Sequence, residues 1–184
     1  MLSNKGVQQV KAPILTEDQF AQVEQYVANM QRAPMYKLML LLTRKLGLRP
    51  IEIANMQSDW FCADMTLRIP QGSTKRQGSR SLPVNIEILD ALRLHMGNKW
   101  GQVFTNAQGE AFTANGISEA MRRIYRLSGI KGSAYCGRRT AATNMVDKGI
   151  SIRVVQEFLG HRNLATTEKY CAVTPNMLRN AVFG

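Results

Sequence analysis

In the stretch LGHRNLATTEKY, residues 159–170, an imidazole and a phenol stand nine positions apart, His161 and Tyr170, across a break between two expected helices. Two arginines fall at other expected helix starts. Arg49 sits between Gly47 and Pro50 in LGLRPIEIANMQ, and Arg138 lies in SAYCGRRTAATNM. These side-chain types suit phosphoryl transfer. Tyrosine can be the nucleophile, guanidiniums can meet the charge that develops on phosphoryl oxygens, and a further proton donor can serve the leaving group. A phenol with its ordinary pKa near 10 is ionised to about one part in a thousand at pH 7. That deficit of about 4 kcal/mol is partly offset by nearby guanidiniums. Arginine presents a fork of donors to a phosphate that lysine cannot imitate.

Several other chemistries lack their residues. The chain contains no GxxxxGK[ST] loop, no GxGxxG fingerprint and no HExxH, and its acidic residues are not grouped as a metal site requires. With only His95 and His161, a Ser-His-Asp arrangement has little material. The expectation is phosphate chemistry with no metal and no nucleotide or other cofactor. Cys62, Cys136 and Cys171 are odd in number and scattered, and they read as reduced thiols.

Charge points to the partner. Twenty-four Lys and Arg against thirteen Asp and Glu leave +11 over 184 residues, with a pI near 10, which favours a polyanion. The excess is clustered. No acid occurs between Asp64 and Glu87, where Arg68, Lys75, Arg76 and Arg80 lie. From Glu119 to Arg139 one acid faces Arg122, Arg123, Arg126, Lys131, Arg138 and Arg139. Six phosphate contacts would make binding steeply salt-dependent.

The elements that must position these groups follow from pattern. Residues 1–15 read as an arm. Thr16 with Gln19 forms a capping-box start for a helix over 17–30, and a second helix near 34–46 stops at Gly47. Pro50 opens a short helix over 50–57. DWFCA, TLRIP and SRSLPV predict three short strands in an antiparallel sheet, with QGSTKRQG joining the last two. Helices are expected near 86–96, 114–128, 136–148, 151–159, 163–171 and 175–182, with Asn85, Ser151 and Thr174 as caps and Gly149 as a stop. The fold class is mainly α with a small three-stranded sheet (α+β). No run approaches the roughly 20 apolar residues of a membrane span, and no signal-peptide pattern opens the chain.

At these residues the sequence resembles the catalytic domain of tyrosine recombinases, the phage integrase family, a fold shared with type IB topoisomerases. LGLRPIEIANMQ is similar to the first arginine box, with Arg49 and the acidic Glu52. GRRTAATNM is similar to the second, with Arg138, and LGHRNLATTEKY to the closing box. IPQGSTKRQGSRSLPV resembles the β-hairpin that carries the catalytic lysine, for which Lys75, eight residues before Pro83, fits better than Arg76. The resemblance implies site-specific DNA recombination. Tyr170 would form a 3′-phosphotyrosyl bond, and Arg49, Arg138 and His161 would hold the phosphate. Lys75 would protonate the leaving 5′-oxygen, and Glu52 would orient the cluster through ion pairs. Arg139, Arg76 and Arg80 read as contacts to backbone phosphates.

One position departs from the family pattern. The second-arginine box usually begins with histidine, and here Tyr135 stands there; Gly137 likewise replaces a usual leucine. A phenol is a weak base at neutral pH, so Tyr135 can donate a hydrogen bond to the phosphate but slows deprotonation of the nucleophile.

The resemblance also implies double-stranded DNA as partner, a dimer on each site and a tetramer in synapsis, possible accessory DNA-bending proteins, no membrane, and a bacterial or phage cytoplasm at the nucleoid. The expected divisions are an arm over 1–15, the catalytic domain over 16–174 and a tail helix over 175–184. Only about 15 residues precede Thr16, so the chain reads either as a truncated catalytic domain or as one of the short single-domain members. Two other functions fit the same residues: relaxation of supercoils, as by type IB topoisomerases, and a catalytically weakened DNA-binding regulator.

Overall fold

A helix with more than one full turn of consecutive buried residues must be wrapped by other elements, and Ala33–Leu46 (α2) is such a helix from Leu38 to Thr43. Met35, Leu38 to Leu42 and Leu46 are all buried. In this computed structural model, which describes residues 12–71, 79–170, 178–179 and 182–183, α2 is the central rod. Glu17–Ala28 (α1) lies against it through Phe20, Val23 and Val27, and begins with the expected capping box of Thr16 and Gln19. Pro50–Ala54 (α3) follows the left-handed turn at Gly47, where φ is 60°.

Thr66–Ile69 (β1) and Arg80–Pro83 (β2) pair antiparallel, with Leu67 opposite Leu82 and Ile69 opposite Arg80. DWFCA does not form the expected third strand, and among the described residues the sheet has two strands. DWFCA instead begins in a 3₁₀ turn, Ser58–Trp60, and touches β1 through a single bridge between Phe61 and Leu67. The chain reverses over Cys62–Met65, where Cys62 N–H reaches the carbonyl of Thr66 and Met65 adopts a φ of 59°. That reversal is too tight to leave room for a ladder.

Ile86–Met96 (α4), Ala114–Leu127 (α5), Cys136–Asp147 (α6), Ile152–Leu159 (α7) and Leu164–Glu168 (α8) complete the described fold. Asn85 and Ser151 cap α4 and α7 as expected, and Thr174 lies outside the described residues. α5 buries Ile117, Met121, Ile124 and Tyr125 and exposes Arg122, Arg123 and Arg126, so the basic run lies on its outer face.

The departure at Gly137 has a packing cause. A Cβ there would lie 2.7 Å from Thr43 Oγ1 and 2.8 Å from Arg44 N, so α6 meets α2 at backbone distance. That approach sets the neighbouring Arg138 beside the end of α2. Among the described residues no helix is long and apolar enough to cross a membrane. Leu178, Arg179, Val182 and Phe183 are helical and exposed, and the rest of the expected tail helix lies outside the described residues, as do residues 1–11 of the arm.

Candidate active site

Gly47 ends α2 and Pro50 starts α3, so the two residues between them are held by turns on both sides. Leu48 fills the core, and Arg49 becomes the N-cap of α3. Three residues on, Glu52 turns back. Its Oε2 accepts the backbone N–H of Arg49 at 2.7 Å, and its Oε1 lies 3.5 Å from Arg49 Nη1. The Glu52 side chain is fully buried.

Arg138 reaches the same place from the first turn of α6. Its Nη1 donates to the carbonyl of Gly47, and its Nη2 donates to the carbonyl of Leu159 at 2.9 Å. Arg49 Nη1 donates to that same Leu159 oxygen at 3.2 Å. The last carbonyl of α7 thus ties two arginines that are 89 residues apart in sequence. Gly160 closes α7 in the left-handed conformation and delivers His161 next to them.

His161 is held at both ring nitrogens. Nε2 lies 3.0 Å from Arg138 Nη2, and Nδ1 lies 2.8 Å from Oγ1 of the buried Thr167. Since a guanidinium can only donate, Nε2 accepts and Nδ1 carries the hydrogen. Tyr170 N–H bonds to the carbonyl of Thr167 at 2.9 Å, and its ring stacks on His161, with centroids 6.2 Å apart and planes 7° from parallel. One turn of α8 and its cap at Asn163 therefore convert the nine-residue spacing into ring contact.

Two of the residues read as phosphate contacts sit otherwise. Arg80 is buried, with Nη2 3.1 Å from Glu52 Oε2 and Nη1 bonded to Oε1. This placement departs from a surface contact. The cause is strand register: Arg80 shares the inward face of β2 with Leu82. Arg139 is half-buried and donates to the carbonyl of Ala12 in the arm. Lys75 and Arg76 lie outside the described residues. Tyr135 is half-exposed at the N-cap of α6 and lines, with Tyr170, a cavity of about 580 Å³. Lys131, Arg139 and Lys169 line it too. Lys169 and Thr167 carry no signal in sequence beyond their places next to Tyr170 and between it and His161.

Electrostatics mark the cluster as a site for an anion. Burial, then the charges of Arg49 and Arg80, pushes Arg138 down to about 9. Burial and Arg80 lower Arg49 too, although Glu52 opposes them. Burial, then Arg138, Arg49 and Arg80, pushes His161 down to about 4, so its ring is neutral at pH 7. Burial would raise Glu52, yet the hydrogen bonds and charge of Arg80, with those of Arg49, hold it below the usual carboxylate range. Three guanidiniums less one carboxylate leave +2 at this place, with Tyr170 beside it. Such an arrangement can polarise a phosphoryl group and bring a phenol to it.

The sequence pattern of the Phage integrase family matches residues 13–177. The chain belongs to that family. Its curated relatives include the tyrosine recombinase XerA of Pyrococcus horikoshii, 25% identical over 98% of this chain and 64% of the relative, and that of Pyrococcus furiosus, 30% identical over 79% and 53%. The chain thus spans between half and two thirds of the length of these relatives. A crystal structure of XerA recombinase superposes with a TM-score of 0.74 at 23% identity, covering 92% of this chain and 63% of that one. The Tn1549 transposon integrase in complex with transposon right end DNA gives 0.80 at 16% identity, covering 96% and 67%. At such identities the likeness is one of fold. Among the described residues the integrase-family domain is mainly helical with a two-stranded sheet.

Proposed function

We propose that this chain is the catalytic unit of a site-specific DNA recombinase that cuts and rejoins strands through a 3′-phosphotyrosyl intermediate. The observation that carries the reading is the meeting of Arg49, Arg138 and His161 at the end of α7, with the Tyr170 ring stacked on the imidazole. Tyr170 Oη attacks the phosphorus of a DNA phosphodiester, forming the P–Oη bond as the opposite P–O5′ bond breaks. The phenol proton passes to solvent at the open cavity, and Lys75 gives a proton to the departing 5′-oxygen. A different 5′-hydroxyl then reverses the step, so the strand is resealed without ATP.

The charge of the cluster favours the transition state over the ground state. A phosphodiester brings one negative charge and its five-coordinate transition state carries two, which meet the +2 of Arg49, Arg80, Arg138 and Glu52. Arg49 and Arg138 hold the non-bridging oxygens and His161 donates to the same phosphate. Double-stranded DNA as the partner is supported by the net charge of +11 and by the DNA in the Tn1549 integrase complex. The reading carries with it a dimer on each site, a tetramer in synapsis and a place at the nucleoid.

The test needs no known target. The protein is incubated with nicked duplexes of randomised sequence, whose short cut strand diffuses away and traps the intermediate. An SDS-resistant protein–DNA adduct that is lost in Tyr170→Phe supports the reading, and sequencing the trapped DNA gives the site. No adduct from the unaltered protein would overturn it.

A further inference from the structure

The arginine at the start of β2 stands in a place where a core residue belongs. In β2 the inward positions are Arg80 and Leu82, and Val84 just beyond is buried too. Strand geometry puts alternate residues on one face, so the Arg80 side chain enters the protein alongside two apolar ones. It is 5% exposed, which removes it from any surface laid against DNA.

Its partners lie in two of the segments that build the active site. On one side the guanidinium spans both oxygens of the fully buried Glu52, through Nη1 to Oε1 and Nη2 to Oε2. Those same oxygens hold Arg49, by its backbone N–H and its Nη1. On the other side the guanidinium lies against Gly160, where an added Cβ would come within 2.7 Å of Nη1. Gly160 stands between Leu159, whose carbonyl takes both Arg49 and Arg138, and His161. Arg49 holds Oε2 firmly through its backbone N–H but stands 3.5 Å from Oε1, so the fork of Arg80 supplies the strong hold at Oε1 that keeps the carboxylate from rotating. A buried ion pair adds little net stability by itself, so its value lies in fixed geometry.

We propose that Arg80 is a positioning residue of the strand-cleavage reaction, clamping Glu52 so that Arg49 is aimed at the reacting phosphate, and not a DNA contact. The inference rests on the recombinase reading above. It assigns Arg80 no contact with substrate, and it predicts a defect in the rate of the bound complex with affinity preserved.

The experiment uses one nicked duplex of the sequence captured from the randomised pool. Single-turnover adduct formation and duplex affinity are measured for Arg80→Met, Arg80→Lys, Glu52→Gln and the double variant Arg80→Met with Glu52→Gln. Arg80→Met should cleave at least about 30-fold more slowly at saturating protein, with affinity within about threefold of the unaltered protein. Arg80→Lys keeps the charge without the fork and should recover less than half of the lost rate on a logarithmic scale. The double variant removes both buried charges, so it folds if burial of an unpaired Glu52 is what harms the single one. Its rate should match that of Glu52→Gln alone, because both residues act on Arg49 by one route.

Additive rate losses in the double variant would overturn the proposal. So would full activity in Arg80→Lys, or a loss of affinity with the bound rate unchanged, which would make Arg80 a phosphate contact after all. Absence of any adduct from the unaltered protein is a different failure. It would sink the recombinase reading itself and this inference with it.

Discussion

His161 Nε2 accepts from Arg138 while its Nδ1 donates to Thr167, at 3.0 and 2.8 Å. The imidazole is therefore neutral and its Nε2 is engaged by a cation. To donate to a phosphate, His161 must carry a proton at Nε2, either by gaining one or by changing tautomer as the Thr167 hydroxyl donates to Nδ1, while Arg138 turns to the incoming oxygen. An anion offsets the repulsion from Arg138, Arg49 and Arg80 that, after burial, holds the imidazole down to about 4.

Two pH effects of opposite sign follow for the free and the DNA-bound protein. In the free protein, the unfolded chain binds the His161 proton near 6.5 and the folded one only near 4. The stability tied to this group is thus complete above pH 6.5 and declines as pH falls towards 4. Between pH 6.5 and 5 the melting temperature should drop less in His161→Gln than in the unaltered protein. DNA affinity should move the other way. In Tyr170→Phe, which cannot cleave, it should tighten as pH falls through the same window, by at most about tenfold per unit for one proton. His161→Gln in that background should flatten the dependence. An affinity indifferent to pH in both would show that the phosphate leaves His161 neutral.

Gly137 gives a prediction about packing that reaches the site. Its Cα faces the backbone of Thr43 and Arg44 so closely that any Cβ must push α6 away from α2. Arg138 is the next residue, and its hydrogen bonds to Gly47 and Leu159 depend on that distance. Gly137→Ala should cost about 1–3 kcal/mol. For a chain of this size that lowers the melting temperature by roughly 2–12 °C. Gly137→Leu, although leucine is usual in the family, should cost more here. Calorimetric melts of the two variants check this, and an unchanged melting temperature for the alanine variant would show that the helices can separate freely.

The contrast between Gly137 and Arg80 explains what could be read from the sequence. Helix positions were legible because their signals are local: the Thr16–Gln19 capping box, Asn85, Ser151 and the left-handed Gly47 all sit where the spelling puts them. The meeting of Arg49, Arg138, His161 and Tyr170 was legible through the family's boxes, and no local rule contains it. DWFCA was misread because its aromatic residues have strand propensity, while the turn at Cys62–Met65 is decided by contacts with β1. Arg80 was expected at the surface because it is charged, and its side chain is buried. The alternation of Arg80, Leu82 and Val84 already placed it inward, and that signal outweighs side-chain type. Thr167 had no signal of its own, since a buried threonine in a short helix is ordinary until a histidine is seen against it.

Tyr135 gives the third prediction. It lines the same cavity as Tyr170, half-exposed, where the family usually has histidine. With no imidazole there, the proton of the nucleophile must go to solvent, so adduct formation should quicken between pH 7 and 9. Tyr135→His supplies a base that is already neutral in most molecules at pH 7.5. Its adduct should form at an equal or faster rate at that pH, with a weaker rise towards pH 9. Collapse of cleavage in Tyr135→His would mean that the phenol does something an imidazole cannot, such as a contact to the strand.

Lys131 and Lys169 are exposed and line the cavity beside Tyr170, with Arg139 at its side. A strand whose phosphate reaches Tyr170 must carry its neighbouring phosphates past this rim. Each lysine that meets a phosphate releases condensed counterions, and the logarithm of affinity falls with the logarithm of salt by about 0.9 for every such contact. Lys131→Gln and Lys169→Gln, each in the Tyr170→Phe background, should make that slope shallower by about 0.9, and together by about 1.8. Lys99 supplies the control. It lines a different cavity, with Arg32 and Pro34, at the start of α2, and that helix is about 20 Å long. Lys99→Gln should leave the slope unchanged. If it flattened the slope as much as Lys131→Gln does, the net charge of the chain and not the rim of this cavity would be steering the DNA.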